Sequence, residues 1–145
     1  WNPEPTSRSA ATLPSGLTTF RCSNNRLTQL PTLPSALTVF HCYGNKLTQL
    51  PSLPVNLKVF DCSRNQLSAL PTLPATLESF YCSYNNLSTL KNFPNEVGGE
   101  TFLYGNPLKS LDGYNGDYDK LYCDNKDYLI LKHKRSKKLK ILDTL

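Results

Sequence analysis

The feature that most constrains this chain is a repeat of twenty residues. The pattern L-x-x-F-x-C-x-x-N-x-L begins at Leu17 and starts again at Leu37, Leu57 and Leu77. A repeat of this length indicates a stacked solenoid, because each copy forms one coil that cannot bury its apolar face alone. Three columns are invariant in these four copies: Phe20, Phe40, Phe60 and Phe80; Cys22, Cys42, Cys62 and Cys82; and Asn25, Asn45, Asn65 and Asn85.

Two less regular copies follow the first four. The fifth regains the register at Leu103, after a one-residue insertion near Gly98, and the sixth begins at Leu121. We therefore predict three parts: an irregular N-terminal segment over 1–12, a repeat domain of about six copies over 13–131, and a basic C-terminal cap or tail over 132–145.

The start of each copy has the alternation of a short β-strand. In the first copy, Phe20 and Cys22 point to one face, and Thr19, Arg21 and Ser23 point to the other. Stacked copies bury the Phe and Cys face as one continuous core. The Asn column lies where the chain leaves the strand, and a buried amide there can bond backbone groups of neighbouring coils. The sequence thus predicts a parallel sheet stabilised by an Asn ladder.

The segment that returns to the next strand is too rich in proline to be helical. Pro31 and Pro34 fix φ and remove two backbone donors within five residues, Leu30 to Pro34. An extended or polyproline-like arm is expected instead. The predicted fold class is therefore a β-rich solenoid, with a parallel sheet on the concave side and extended or polyproline-like arms on the convex side.

The pattern resembles the leucine-rich repeat family, whose core is L-x-x-L-x-L-x-x-N-x-L. Leu17, Phe20, Cys22, Asn25 and Leu27 match that core. The twenty-residue length and the L-P-x-L-P segment are similar to the short bacterial type. That type occurs in secreted Gram-negative virulence effectors, including the recognition half of some effector ubiquitin ligases, and similar arrays occur in giant-virus proteins. The resemblance implies a protein-recognition solenoid.

The five cysteines are interpreted as small core residues rather than as a disulfide framework or a metal site. Neighbouring strands lie about 4.8 Å apart with parallel side chains, which separates adjacent Cβ atoms by more than the about 3.8 Å of a disulfide. Free thiols are typical of a reducing compartment, either the cytoplasm or, for a secreted effector or a viral protein, the host cytoplasm. We predict no cofactor and no metal.

Outward positions on the strands carry what is specific to this chain, since packing fixes the inward ones. In the successive copies, these outward positions hold aromatic and charged side chains interleaved with Ser and Asn, and we expect them to form one concave surface. Rigid aromatic rings with small polar neighbours are typical of protein-recognition surfaces. The alternative interpretation is that these exposed tyrosines reflect only the ordinary preference of Tyr for β-strands. The candidate partner-binding residues are Arg21, His41, Tyr43, Asp61, Arg64, Tyr81, Tyr84, Phe102, Tyr104 and Tyr122.

Two chemical sites are suggested by residue type but are not favoured. Ser63, His41 and Asp61 have the residue types of a hydrolytic triad, but an open sheet supplies neither an oxyanion hole nor exclusion of water. A polar row in which Arg21, His41 and Asp61 satisfy one another is preferred. The acidic stretch 112–119 does not match the spacing of a calcium loop, and a turn is the better interpretation.

The positive charge of the chain is a C-terminal feature. Residues 1–131 are neutral overall, whereas 132–145 supply the whole net charge of +5. This tail is predicted to contact an acidic surface or nucleic acid, or to be a solvated cap strand. No apolar run approaches the about 18–20 residues that cross a bilayer, so no membrane span is predicted. The basic tail consists of Lys132, Lys134, Arg135, Lys137, Lys138 and Lys140.

The preferred function is a non-enzymatic module that binds a protein through its concave face. A second possibility is a structural component of a larger assembly, such as a viral particle or shell, held by its ends and basic tail. It is suggested by the segment 1–12, which lacks the helical cap of the effector families. A third is the substrate-recognition half of an effector ubiquitin ligase whose catalytic domain is absent from these residues.

Overall fold

Six short parallel strands stack in chain order to form one sheet. The computed structural model describes residues 12–93 and 97–142. Each strand pairs with the next in register, so that equivalent repeat positions lie side by side, as Phe40 does with Phe60. The strands, which number the coils one to six, are β1 Thr19–Arg21, β2 Val39–His41, β3 Val59–Asp61, β4 Ser79–Tyr81, β5 Glu100–Phe102 and β6 Leu121–Tyr122.

The inward Phe column forms a continuous stack through the first four coils. The ring centroids of Phe20 and Phe40 lie 5.5 Å apart, those of Phe40 and Phe60 5.3 Å, and those of Phe60 and Phe80 5.6 Å. The cysteines of the next inward column are buried from coil two onward. The predicted direction of the alternation is therefore confirmed, because Phe and Cys line the core.

The Asn column connects each coil to the one before it. The Asn65 side-chain amide donates to the carbonyls of Cys62 in its own coil and Cys42 in the preceding coil, both at 3.0 Å. Its Oδ1 accepts from the backbone N–H of Leu47, also at 3.0 Å. Asn45, Asn85 and Asn106 repeat the arrangement. The predicted Asn ladder is present.

The return arms contain neither helix nor strand in coils one to three. Each ends in a tight turn that leads into the next coil, and the Leu37 N–H donates to the carbonyl of Pro34 at 3.2 Å. Leu33 and Leu73 of the arms are buried in the core. The prolines therefore keep the arms free of helix, as predicted, while the leucines between them cover the core opposite the sheet.

The fifth coil diverts the aromatic stack away from the sheet. Thr101 takes the inward position that Phe80 holds in the preceding strand. The Phe80 ring instead meets the edge of Phe93 at 5.7 Å, and Phe93 meets Tyr114 at 5.6 Å. Phe93 lies in the return arm of coil four and Tyr114 in that of coil five, and both are buried. Aromatic rings from the arms therefore fill the space that the missing Phe leaves.

The basic segment is helical rather than a cap strand. Helix α1 spans Lys126–Leu142 and begins after a short connection, 123–125, from β6, so the predicted boundary at residue 131 lies inside the helix. Leu129 and His133 are buried at its contact with the last coils, and His133 Nδ1 lies 3.1 Å from Asp112 Oδ1. The cap-strand alternative was wrong because two buried residues four apart, Leu129 and His133, place one face of a helix against the last coils.

Candidate interaction surface

The outward column of the strands brings six of the ten predicted partner-binding residues into a single row. Strand register pairs each member with its neighbour in the next coil. The first is exposed and the other five are half-buried. We call this side of the sheet the sheet face. The row consists of Arg21, His41, Asp61, Tyr81, Phe102 and Tyr122.

The last three members of the row form an aromatic stack. Tyr81 and Phe102 have ring centroids 5.0 Å apart, and Phe102 and Tyr122 4.6 Å, with interplanar angles of 6° and 8°. The Lys126 ammonium lies 5.7 Å from the Tyr122 centroid. The nearby Glu100 carboxylate raises the pKa of the Tyr122 hydroxyl. Parallel strands in register impose this stacking, because equivalent side chains lie one strand spacing apart.

The polar end of the row does not form the predicted network. The Asp61 carboxylate accepts a hydrogen bond from the Ser63 backbone N–H at 3.0 Å. Within 12–93 and 97–142, the ion pairs are Lys58 with Glu78 and His133 with Asp112, so none joins Arg21, His41 and Asp61. The prediction that these three side chains satisfy one another is therefore wrong. A local backbone bond occupies the carboxylate instead.

Two further predicted residues lie in the column after Cys. The Tyr43 hydroxyl accepts from the Asn24 side-chain amide at 3.2 Å, which ties it to the neighbouring coil. Tyr104 is 41% exposed. In the sixth coil the same column holds Asp124, whose carboxylate accepts from the Gly105 N–H at 2.6 Å. Tyr104 thus adds an exposed ring beside the aromatic stack.

The next column, which we call the turn row, has an unusual backbone conformation. Every member has a left-handed φ, between 53° and 68°. The backbone N–H of Asn24 donates to the Tyr43 carbonyl, and that of Arg64 to the Ser83 carbonyl, both at 2.8 Å. These bonds continue the ladder between coils past the strand ends. The row consists of Asn24, Gly44, Arg64, Tyr84, Gly105 and Asn125.

The last two predicted residues, Arg64 and Tyr84, are neighbours in the turn row. The Arg64 guanidinium lies 4.9 Å from the centroid of the Tyr84 ring. The Tyr84 ring lies over Gly105, where an added Cβ would come within 2.6 Å of the ring. Both side chains are exposed. Sequence reasoning missed the left-handed backbone, although Gly and Asn at four of six positions signal it.

The thiols have no sign of activation. Burial raises the pKa of Cys22 to about 11 and raises the pKa of Cys42, Cys62 and Cys123 as well. All five cysteines are free thiols. A thiol with a raised pKa is a poor nucleophile near neutral pH, because the reactive thiolate is scarce. The cysteines therefore pack in the core and lie apart from the candidate surface.

The basic tail is placed on α1. Lys132, Lys134 and Lys137 are all exposed, and the Lys132 ammonium donates to the Lys109 carbonyl at 3.0 Å. The other three predicted members lie within the helix, and their side chains are outside the described part of the chain. These three are Arg135, Lys138 and Lys140.

Carboxylates of the acidic stretch 112–119 make contacts within the chain. Asp117 precedes a 3₁₀ turn, Tyr118–Lys120, and its carboxylate accepts from the Asp119 N–H at 2.9 Å. Asp112 contacts His133, a buried residue that sequence reasoning did not single out. The described residues contain no cluster of three or more His, Cys, Asp or Glu side chains placed to hold a metal ion. In the same residues, no helix has the length and apolar character to span a bilayer.

Comparison with known proteins connects this geometry to one solved fold. Neither a protein-family model nor a curated relative matches the chain. The structure is similar to that of YopM from Yersinia enterocolitica WA-314, with a TM-score of 0.58 and 28% identity over 74% of this chain. The match spans 30% of the YopM chain. The twenty-residue coils, the Asn ladder and this likeness identify the chain as a leucine-rich repeat solenoid of the short bacterial type.

Proposed function

We propose that this solenoid is a non-enzymatic protein-interaction module that binds a partner protein through its sheet face. The observation that carries the proposal is the half-exposed stack of Tyr81, Phe102 and Tyr122. The interior already has its own Phe stack, so the fold does not require a second one on the outside. Stacked rings are rigid, and they lose little conformational entropy when a partner covers them.

Catalysis is not part of the proposal. Of the hydrolytic residue types, His41 and Asp61 lie side by side in the sheet. The Asp61 carboxylate, however, bonds a backbone N–H of its own chain. An aspartate that orients a catalytic histidine must bond that histidine. Cys42 and Cys62 are buried and burial raises their pKa values, which argues against thiol chemistry at these positions.

The five free thiols favour a reducing compartment, either the cytoplasm or the cytoplasm of a host cell. The likeness to YopM, which extends over 74% of this chain, supports an effector-type interaction module over a structural component of a viral assembly. A monomer in solution is the expected oligomeric state. Stable higher assemblies measured by analytical ultracentrifugation would instead favour the structural component.

Affinity capture with the intact chain tests the proposal. The test variant carries Tyr81→Ala, Phe102→Ala and Tyr104→Ala, which remove rings from the surface and leave the Phe core intact. The matched control is Val55→Ala on the turn that leads into β3, where the side chain is 73% exposed. Proteins captured by the wild type and by the control are expected to be lost from the triple variant, provided circular dichroism shows that it is folded. Equal capture by the folded triple variant would contradict the sheet-face assignment.

A further inference from the structure

Two adjacent positions of the turn row hold residues that its backbone disfavours. The row requires a left-handed φ, which glycine adopts freely and asparagine tolerates. Coils one, two, five and six have Asn or Gly there, but coils three and four have Arg64 and Tyr84, with φ of 54° and 57°. A bulky residue in this conformation is strained, and such strain concentrates at functional sites.

The fold gains little from these two side chains. Tyr84 is 55% exposed and Arg64 is also exposed, so neither contributes appreciably to the core. Their mutual contact is a cation–π interaction at a solvent-exposed site, the weakest setting for that interaction. Asn24 and Gly44 occupy the same row without such a contact, which means that the solenoid does not depend on it.

Arg64 lies within a positively charged edge of the solenoid. The segments that follow the first four strands, 22–30, 42–50, 62–70 and 82–90, contain no acidic residue. They carry three cations, Arg26, Lys46 and Arg64, and all three are exposed. Arg26 also borders an open depression of about 590 Å³ lined by Asn24, Asn25 and Gly44. We call Arg26, Lys46, Arg64 and Tyr84 the basic rim.

Among the acidic residues, Asp61 is the closest to Arg64 in sequence. Its carboxylate accepts a hydrogen bond from the Ser63 N–H and forms no ion pair with the Arg64 guanidinium. Neither ion pair of the described residues involves a rim residue. The three cations of the rim are therefore free of the ion pairs formed among the described side chains.

We propose that the basic rim binds an acidic segment of the partner protein, with Arg64 as its anchor. The inference rests on the proposed sheet-face function and adds the chemistry of the partner. Because Arg64 stacks on Tyr84, its guanidinium is held in place while its N–H groups remain available to a carboxylate. A planar guanidinium pairs well with a carboxylate through two parallel hydrogen bonds. Arg26 and Lys46 extend the positive surface toward coil one, so the acidic segment crosses several coils.

The same geometry disfavours single-stranded nucleic acid as the partner. Such ligands stack their bases on free aromatic faces. The Arg64 guanidinium lies over the Tyr84 ring, and atoms of the same ring crowd Gly105, where an added Cβ would come within 2.6 Å of them. On the sheet face, Tyr81, Phe102 and Tyr122 cover one another. Stacking thus leaves these rings fewer free faces for a base, whereas their edges and hydroxyl groups suit a polypeptide.

Replacing the two strained residues by asparagine tests the proposal. Arg64→Asn and Tyr84→Asn introduce the residue found in coils one and six of the same row, so both variants are expected to fold and to melt at a temperature equal to or above that of the wild type. The control is Lys91→Gln, which removes a positive charge outside the rim. The probe is a fluorescein-labelled ten-residue peptide of alternating Glu and Ser, and a peptide of alternating Gln and Ser serves for comparison. The fluorescence anisotropy of each peptide is measured as the full chain is added.

The wild type is expected to bind the Glu peptide in a salt-sensitive manner and to prefer it over the Gln peptide. Arg64→Asn should weaken that binding by about tenfold, the usual effect of losing one charge-assisted hydrogen-bonded contact. Tyr84→Asn should weaken it by a smaller factor, and Lys91→Gln should leave it unchanged. Equal affinity of the wild type and Arg64→Asn, or no preference for Glu over Gln, would overturn the proposal. Tighter binding of a ten-nucleotide oligothymidylate than of the Glu peptide would contradict the proposal that the partner is a polypeptide rather than a nucleic acid.

The capture experiment separates this inference from the proposed function. If Arg64→Asn captures the same proteins as the wild type and the sheet-face triple variant loses them, the sheet face binds partners and the rim does not. If both variants capture them equally, both proposals fail. Loss of the same proteins from both variants, with wild-type capture weakened by added salt, supports both.

Discussion

The Oδ1 atom of Asn65 accepts a hydrogen bond at 3.0 Å from the backbone N–H of Leu47, eighteen residues earlier and one coil away. The amide of the same side chain donates to carbonyls in both coils. A fourth backbone partner is the Ser63 carbonyl, 3.3 Å from the same amide, so one buried side chain bonds four backbone groups where the chain leaves the strand. The stack of coils depends on this contact as well as on the Phe core, since a buried polar group without a partner is costly.

Replacing Asn65 by Ala is expected to lower the free energy of unfolding by about 3 kcal/mol, because an N–H and two carbonyls of the core lose their partner. Urea denaturation followed by circular dichroism measures the change. The matched control is Asn25→Ala in coil one, where the side chain is exposed and, within 12–93 and 97–142, bonds carbonyls of its own coil alone. A control as destabilised as Asn65→Ala would contradict the bridging role.

The buried thiols predict a loss of stability at alkaline pH. Burial raises the pKa of Cys22 from 9.0 to about 11 and raises that of Cys62 as well. Above pH 9 the unfolded chain releases thiol protons that the folded chain retains. The contribution of these thiols is therefore complete below pH 9 and is lost as the pH rises through the folded pKa values.

Cys62→Ala isolates this effect. The variant is expected to be less stable at pH 7, but its stability should fall less steeply between pH 9.5 and 10.5. The slope should be smaller by up to about 1.4 kcal/mol per pH unit, the value for one proton. Urea titrations of the wild type and the variant across this range give both slopes. Identical slopes would mean that the Cys62 thiol does not stay protonated in the folded chain.

Gly105→Ala is expected to cost about 1–3 kcal/mol, because φ is +67° and a Cβ would collide with the Tyr84 ring. Thermal denaturation measures the loss. Part of it should be recovered in the double variant with Tyr84→Asn, which removes the ring. Gly16→Ala is the control, since an added methyl there would have nothing within 4 Å and the stability should change by less than about 0.5 kcal/mol. No recovery in the double variant would show that the ring does not limit the space at Gly105.

His133→Ala is expected to loosen α1 from the last coils. The side chain is 5% exposed and contacts Asp112, so its removal leaves a gap and a lost hydrogen bond. A loss of about 1–2 kcal/mol follows. Hydrogen exchange of the α1 amides should accelerate more than that of the strand amides. Lys134→Ala, an exposed neighbour on the same helix, should change neither, and equal acceleration in the two variants would rule out a specific role for His133.

Most of the architecture could be predicted because the residues that define each coil recur in several copies of the repeat. The columns of Phe40, Cys42 and Asn45 recur at one period, so a local alternation is enough to assign the core and the ladder. The coils that depart from the period were less predictable. The sequence at Thr101 does not indicate that Phe93 and Tyr114 replace the missing inward Phe, because this replacement depends on contacts between distant segments.

The candidate surface was predictable as a set of columns but not as contacts. Alternation placed Tyr81, Phe102 and Tyr122 on one face, and register then stacked them. The same reasoning predicted contacts among Arg21, His41 and Asp61 that are not made, because a local backbone N–H competes for the carboxylate. The left-handed turn row, and with it the strain at Arg64 and Tyr84, required backbone angles.

The repeat by itself determined the solenoid, the inward residues and the set of side chains on the outer side of the sheet, because a period of twenty residues leaves only one way to bury the Phe and Cys columns together. Tertiary structure alone decided which outward side chains touch, how the aromatic core continues past Thr101, and that the basic segment is a helix held by His133. These outcomes depend on distances between residues far apart in the chain, where competing partners differ little in energy and only packing selects one.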